Sequence, residues 1–296
     1  MAGLSEPVRE RRDGDGRTRD TTYPPAPEPL PISVADSHCH LDIRDGEAWL
    51  EVEQALSLAR AAGIDRIVQI GCDLASSRWS VQAAHAHPSV VAAVALHPNE
   101  APRLAAHGEA MLEDALRDIE AMAADERVRA VGETGLDYFR TGDEGRAAQR
   151  TSFERHIAMA RGLGKTLVIH DRDAHDDVLQ VLDTTGAPEK VVMHCFSGDA
   201  AFARECVDRG FYLSFAGTVT FKNAASLREA AAVVPLTNLL VETDAPFLAP
   251  APHRGRPNAS YLIPYTVAVL AEAMNASVSQ VCAAISANSD HVFGPW

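Results

Sequence analysis

Lysine is nearly missing from this chain. There are only three, Lys165, Lys190 and Lys222, and the 27 basic residues face 41 acidic ones for a net charge of −14. A protein that tracks along nucleic acid usually carries a basic face. The shortage therefore excludes an extended nucleic-acid groove, though not a site that grips one or two phosphates through metal. Long apolar runs are also missing. None approaches the ~18 residues that a membrane helix needs, so no membrane partner is expected. The five cysteines (Cys39, Cys72, Cys195, Cys206, Cys282) are scattered, odd in number and without a CxxC pair. A disulfide framework is not expected, and a reducing, cytoplasmic setting is. No GxGxxG follows the first strand-like run, against a dinucleotide-binding sheet.

The chain is 46% hydrophobic and 23% charged, which are globular values. The first thirty residues stand apart. "EPVRERRDGDGRTRDTTYPPAPEPLP" is charged, Gly- and Pro-rich and almost without bulky apolar side chains. It holds too little apolar surface to offset its ordering entropy, so residues 1–30 are expected to be a disordered tail. The Arg11-Arg12 pair is not followed by the apolar stretch of an export signal. With five arginines against six acidic residues in that tail, the other −13 falls on residues 31–296.

From about residue 33 the pattern turns regular. Eight β-rich runs ("SVADSH", "DRIVQIG", "SVVAAVAL", "RVRAVGE", "KTLVIH", "EKVVMH", "FYLSF", "NLLVET") alternate with helical stretches, several ending on Gly. Eight such units predict an α/β fold, a (β/α)8 TIM barrel over 31–296, and no second domain. In a barrel of this kind function gathers where the strands end. The first run ends in His38 and His40, and the third leads to His97. The fourth ends at Glu133, the fifth at His170, the sixth at His194 and the eighth at Asp244. Each alone has an ordinary explanation: a hydrogen-bonded core histidine, a capping glutamate, an Asx turn. Together they would need six strand ends to imitate one metal site.

Strand side chains alternate faces. His38 and His40 therefore share the axial face while Cys39 turns toward the helices. By the same parity Asp36 lies a layer below the two histidines, and Glu242 a layer below Asp244. Those carboxyls are candidates for the partners that ligating imidazoles usually engage through their second nitrogen. Four histidines and two carboxylates exceed one tetrahedral zinc. They suit two divalent cations, with His38, His40 and Asp244 on one, His170 and His194 on the other, and Glu133 bridging. No lysine stands where a carboxylated lysine could bridge instead. The mixed ligands admit zinc, manganese, iron or magnesium. Such a pair supports metal-assisted hydrolysis of a phosphodiester, an amide or a lactone.

The motifs "DSHCHLD", "GETGLDY", "VIHDRDAHDD", "MHCFSGD", "FAGTVTFKNA", "ETDAPFLAP" and "HRGRPNAS" resemble, in order and context, those of the TatD-related, metal-dependent deoxyribonucleases. The resemblance runs from about residue 33 to the end. It implies an amidohydrolase-like barrel that hydrolyses DNA, often from the 3′ ends of single strands, with no obligate protein partner. It implies the same ligand set, His38, His40, Glu133, His170, His194 and Asp244, with Asp244 also taking a proton from the attacking water. His97 and Arg172 match motif positions near the site and are candidates to touch substrate phosphate. The competing expectations are a lactone, amide or small-phosphoester hydrolase on the same binuclear site, and a binding protein that keeps the metals without turnover.

Overall fold

All eight β-rich runs form strands, and the reason is visible in their composition. They are short, mostly rich in Val, Ile and Leu and largely buried on both faces, as parallel strands wrapped by helices must be. The computed structural model describes residues 4, 6–11 and 19–296. Its strands are β1 (Arg9–Glu10), β2 (Val34–Cys39), β3 (Ile43–Arg44), β4 (Ile64–Ile70), β5 (Val90–Val94), β6 (Val128–Asp137), β7 (Thr166–Arg172), β8 (Val191–Met193), β9 (Tyr212–Phe215) and β10 (Leu239–Val241). The helices are α1 (Val52–Ala61), α2 (Leu74–Ala86), α3 (Glu100–Ala105), α4 (Glu109–Ala123), α5 (Asp143–Leu163), α6 (His175–Thr185), α7 (Ala200–Asp208), α8 (Ala225–Val233), α9 (Ile263–Ala273) and α10 (Val278–Phe293). Among the described residues, no single helix is long and apolar enough to cross a membrane.

Strands β2, β4, β5, β6, β7, β8, β9 and β10 pair in that order, all parallel. The last gap closes beyond the strand ends. Cys39 bridges to Ala245, the Asp244 N–H donates to His38 O at 2.9 Å, and the His40 N–H to Ala245 O at 2.8 Å. The seam of the barrel thus runs between two stretches expected to carry metal ligands. The expected (β/α)8 barrel is the observed architecture.

Two apolar layers hold it. The outer one lies between strands and helices and includes Cys39, Ile67, Leu116, Ile157 and Leu167. The inner one includes Val68, Ile70, Val91, Ala93, Val168 and Val192, with Phe293 packed among them. Phe293 ends α10, which crosses beneath the strand starts, where Thr166 donates to Val292 O at 2.6 Å. The barrel floor is therefore filled with hydrocarbon. Burying a side chain of this size stabilises by roughly 1.5–3 kcal/mol.

The first thirty residues divide. The expectation of disorder at residues 1–3, 5 and 12–18 lies outside the described residues. Those that are described lie on the barrel. β1 pairs with β3, Leu30 N–H donates to Ala62 O at 3.0 Å, and the Tyr261 hydroxyl donates to Pro24 O at 2.6 Å. Composition did not reveal these attachments.

Candidate metal centre

The alternation seen in the inner layer continues upward into the site. Val168 faces the axis, and so does His170 two residues on. Val192 leads to His194, and Val91 and Ala93 lead to His97. Glu133 breaks this parity, because Ala130 on the same strand also faces inward. The register of β6 against β7 shifts between Val131 and Thr134. Such a bulge re-aims side chains, and here it turns Glu133 to the axis. Gly135 is then obligatory: its φ is +139°, and a Cβ there would meet His170 O at 2.0 Å.

Glu133 is the hub. Its Oε1 lies 2.7 Å from His170 Nδ1, 3.0 Å from His194 Nε2 and 3.4 Å from His97 Nε2. Its Oε2 faces the other half, 3.6 Å from His38 Nε2. Asp244 closes that half, with Oδ1 at 3.4 Å from His40 Nε2 and 3.7 Å from His38 Nε2. The rings of His38 and His194 stack with centroids 3.8 Å apart. All six residues expected to ligate metal therefore meet in one cluster.

Glu242 meets an imidazole of the cluster. Its Oε1 is 3.0 Å from His194 Nδ1, so the imidazole is held from both sides. Asp36 acts differently. It accepts from the His38 and Thr243 N–H groups and from the Thr243 and Ser260 hydroxyls, and touches no imidazole ring. It fixes backbone across the seam beneath His38 and just before Asp244. Burial pushes its carboxyl up to about 7. His97 is partly exposed beside Glu133, with its ring 4.7 Å from that of His170. Arg172 is exposed and lies over the Phe139 ring at 4.1 Å, on the rim.

Two residues of the cluster escaped the sequence reading. Asp137 is buried, 3.3 Å from His170 Nε2, and accepts from Asn99 and from the Arg140 N–H. Its signal was in "GETGLDY": four residues beyond Glu133 on one strand, it shares that face. Cys72 donates toward Glu133 Oε2 at 3.5 Å. It lies two residues beyond Ile70, again on the inward face.

The electrostatics are those of anions in search of positive charge. Burial pushes the Glu133 carboxyl up. The His194 and His97 charges and the hydrogen bonds from His170 and His194 outweigh burial, and hold it well below the usual range. Burial favours neutral His194, but Glu242 and Glu133 on either side raise it well above an ordinary histidine. Meanwhile several buried polar atoms have no hydrogen-bond partner among the described residues: both ring nitrogens of His38, Nε2 of His170 and Oε2 of Glu242. An unsatisfied buried polar atom costs about 1–3 kcal/mol. Donor atoms fall within 4.8 Å of one another in three sets: His38, His194 and Glu242; His38, His40 and Glu133; and His97, Glu133 and His170. Orphaned imidazole nitrogens, gathered around ionised carboxylates, fit divalent cations and not an apolar ligand.

The comparisons agree with this chemistry. The family model described as TatD related DNase matches residues 35–294. The uncharacterized metal-dependent hydrolase TatD of Mycobacterium tuberculosis is 44% identical over 265 residues, covering 88% of this chain and 98% of the relative. The uncharacterized metal-dependent hydrolase YabD of Bacillus subtilis is 35% identical, covering 87% and 98%. Among solved structures, YjjV, a TatD homolog from Escherichia coli, superimposes with a TM-score of 0.79 at 27% identity, over 88% of this chain and 98% of that one.

Proposed function

The chain belongs to the TatD-related DNase family of metal-dependent hydrolases, and from that premise we propose that it cleaves DNA phosphodiesters, removing nucleotides from the 3′ ends of single strands with two divalent cations at the barrel rim. In this reading His38, His40 and Asp244 hold one cation and His170 and His194 the other. Glu133 would be shared between the two. The observation that carries it is the division of the Glu133 oxygens, one toward His38 and the other toward His170 and His194.

Bound cations would supply Lewis acidity to the phosphoryl oxygens and to an attacking water. The chain's own residues do the rest. Asp244 receives the proton. Its side chain is 18% exposed, against 6% for Glu133 and none for Glu242, so it is the carboxylate that solvent reaches. Burial pushes it up, but the hydrogen bond from His40 and the nearby His38 and His194 hold it below the usual carboxylate range. It is therefore ionised and ready to accept. Glu242 orients His194 by the hydrogen bond that a ligating imidazole needs, and the Asp137 carboxylate lies 3.3 Å from His170 Nε2.

Substrate is held locally. With a net charge of −14, affinity rests on the cations and on a few rim groups. Arg172 over the exposed Phe139 ring offers a guanidinium for a phosphate and an aromatic face for a terminal base. The five cysteines are all free, which supports a cytoplasmic location.

The test uses protein stripped of metal and reloaded with manganese or zinc. It is assayed on 3′- and 5′-labelled single-stranded oligonucleotides beside a panel of lactones. Metal-dependent release of mononucleotides from the 3′ end is expected. Lactone turnover with the oligonucleotides intact would replace this reading with the amidohydrolase-type one.

A further inference from the structure

We infer that the N-terminal segment around β1, which precedes the residues matched by the family, is a strap that completes the metal centre, with Arg9 as a positioning residue for His40. The inference rests on the metal-centre reading above. The segment is bound by its backbone first. The Val8 and Arg9 N–H groups donate to Asp42 O at 3.0 and 3.2 Å, and the Arg11 N–H donates to Arg44 O at 2.8 Å. This lays the Arg9 side chain directly behind His40.

The guanidinium then makes a fork. Its Nε donates to Asp42 Oδ2 at 2.6 Å and its Nη2 to Asp42 Oδ1 at 2.9 Å. The same Nη2 donates to Ile70 O at 3.4 Å, the carbonyl that His40 Nδ1 meets at 3.1 Å, and packs against that ring nitrogen at 3.0 Å. A ring that ligates through Nε2 carries its proton on Nδ1 and donates it to Ile70 O, so Arg9 steadies that shared carbonyl behind the ring, while Asp244 stands on the Nε2 side. Second-nitrogen contacts of this kind set which way a ligating ring points.

Charge explains why the strap stays. Asp42 and Asp45 both follow the His38-Cys39-His40 motif, and both are fully buried. Two buried carboxylates without cations would be costly. Asp42 takes the Arg9 fork and one amide hydrogen bond from Gln69. Asp45 takes Arg11 at 3.2 Å and Arg19 at 2.9 Å. Arg11 also lies over the Phe247 ring at 5.2 Å, and that ring meets His40 edge-on at 6.3 Å. Three arginines from a segment of unstructured composition therefore neutralise the loop that follows the first two ligands.

The test uses the full chain with Arg9→Met, Arg9→Lys and, as a control on the solvent side of the same strand, Glu10→Ala. Manganese affinity is measured by competition with a chromophoric chelator, and thermal melting is followed in the same samples. Arg9→Met should weaken manganese binding about tenfold or more, the size found for partners of metal ligands. Arg9→Lys restores a cation beside Asp42 and should recover the melting temperature. One ammonium cannot span Asp42 and Ile70 O as the fork does, so manganese binding should stay weak. Glu10→Ala should match wild type in both. Should Arg9→Met prove insoluble, the lysine variant carries the test alone. Wild-type manganese affinity in either Arg9 variant overturns the strap, as does recovery of affinity in step with melting. A wild-type chain that binds no manganese removes the metal-centre reading itself, a different failure from an unchanged variant.

Discussion

Two regions of this barrel each hold a fully buried histidine, and they treat it in opposite ways. His156 lies on α5 against the strands. Its Nε2 accepts from the Leu96 N–H at 3.1 Å, and its Nδ1 donates to Ser152 O at 2.6 Å. His38 lies on the rim, equally buried, and neither ring nitrogen has a hydrogen-bond partner among the described residues. The first ring is a packed polar group whose demands are met within the chain. The second is tolerated only if something outside the chain meets them. Burial alone does not mark a metal ligand. Burial with an orphaned nitrogen beside ionised carboxylates does.

The comparison can be broken most severely at its hub. Glu133→Ala or Asp244→Ala should lower hydrolysis by at least on the order of a hundredfold, the loss expected for one preorganised charge-stabilising group. Circular dichroism should show the fold retained, because neither side chain builds the apolar layers. Activity near wild type with metal limiting would contradict a two-cation centre.

The two histidines should then fail in different assays. His156→Ala strands the Leu96 N–H and opens a cavity, and should cost about 2–4 kcal/mol in urea unfolding while metal content stays normal. His38→Ala should lose metal, measured by elemental analysis of the purified protein, with little loss of stability in chelator. If both variants lost stability and kept metal, the distinction between the regions would be gone.

Acid sharpens the contrast. Burial lowers His156 from 6.5 to about 4. Between those values the unfolded chain binds a proton that the folded chain refuses, so this residue makes stability rise with pH across the window. Acidification from 6.5 to 4 should remove up to about 3 kcal/mol through His156 alone. The stability difference between wild type and His156→Gln, measured by urea unfolding at each pH, isolates that contribution. A difference that does not change with pH would refute it. The smallest effect expected is that of salt. Oligonucleotide binding should weaken only slightly from 50 to 200 mM salt, and a slope equivalent to about six or more neutralised phosphates would contradict a locally held strand end.

Much of this was legible in the sequence, for reasons that can be named. Alternation along a strand is enforced by backbone geometry. It joined His38 to His40 on one face, turned Cys39 into the outer layer and offered Glu242 as a partner for a ligating imidazole, which the structure makes His194. Alternation fails where the ladder is irregular. The register shift before Thr134 resets the phase of β6, so Glu133 was found by its place at a strand end, and Asp137 was passed over. Asp36 was placed at the right depth but given the wrong kind of partner, because parity says which face a side chain takes and not which donor it meets. The attachment of Arg9 was invisible. Composition measures how much apolar surface a segment can bury. It does not register that three arginines will be drawn to two buried aspartates more than twenty residues away.

A two-cation centre depends above all on Glu133 lying between its ions. The most direct measurement is a titration of the metal-stripped chain with manganese, following bound metal per chain and hydrolysis of a single-stranded oligonucleotide in the same samples. Two ions per chain are expected, with hydrolysis rising as the second site fills, and Glu133→Ala should hold fewer ions and stay inactive. Saturation at one ion, or full hydrolysis by the stripped chain, would contradict it.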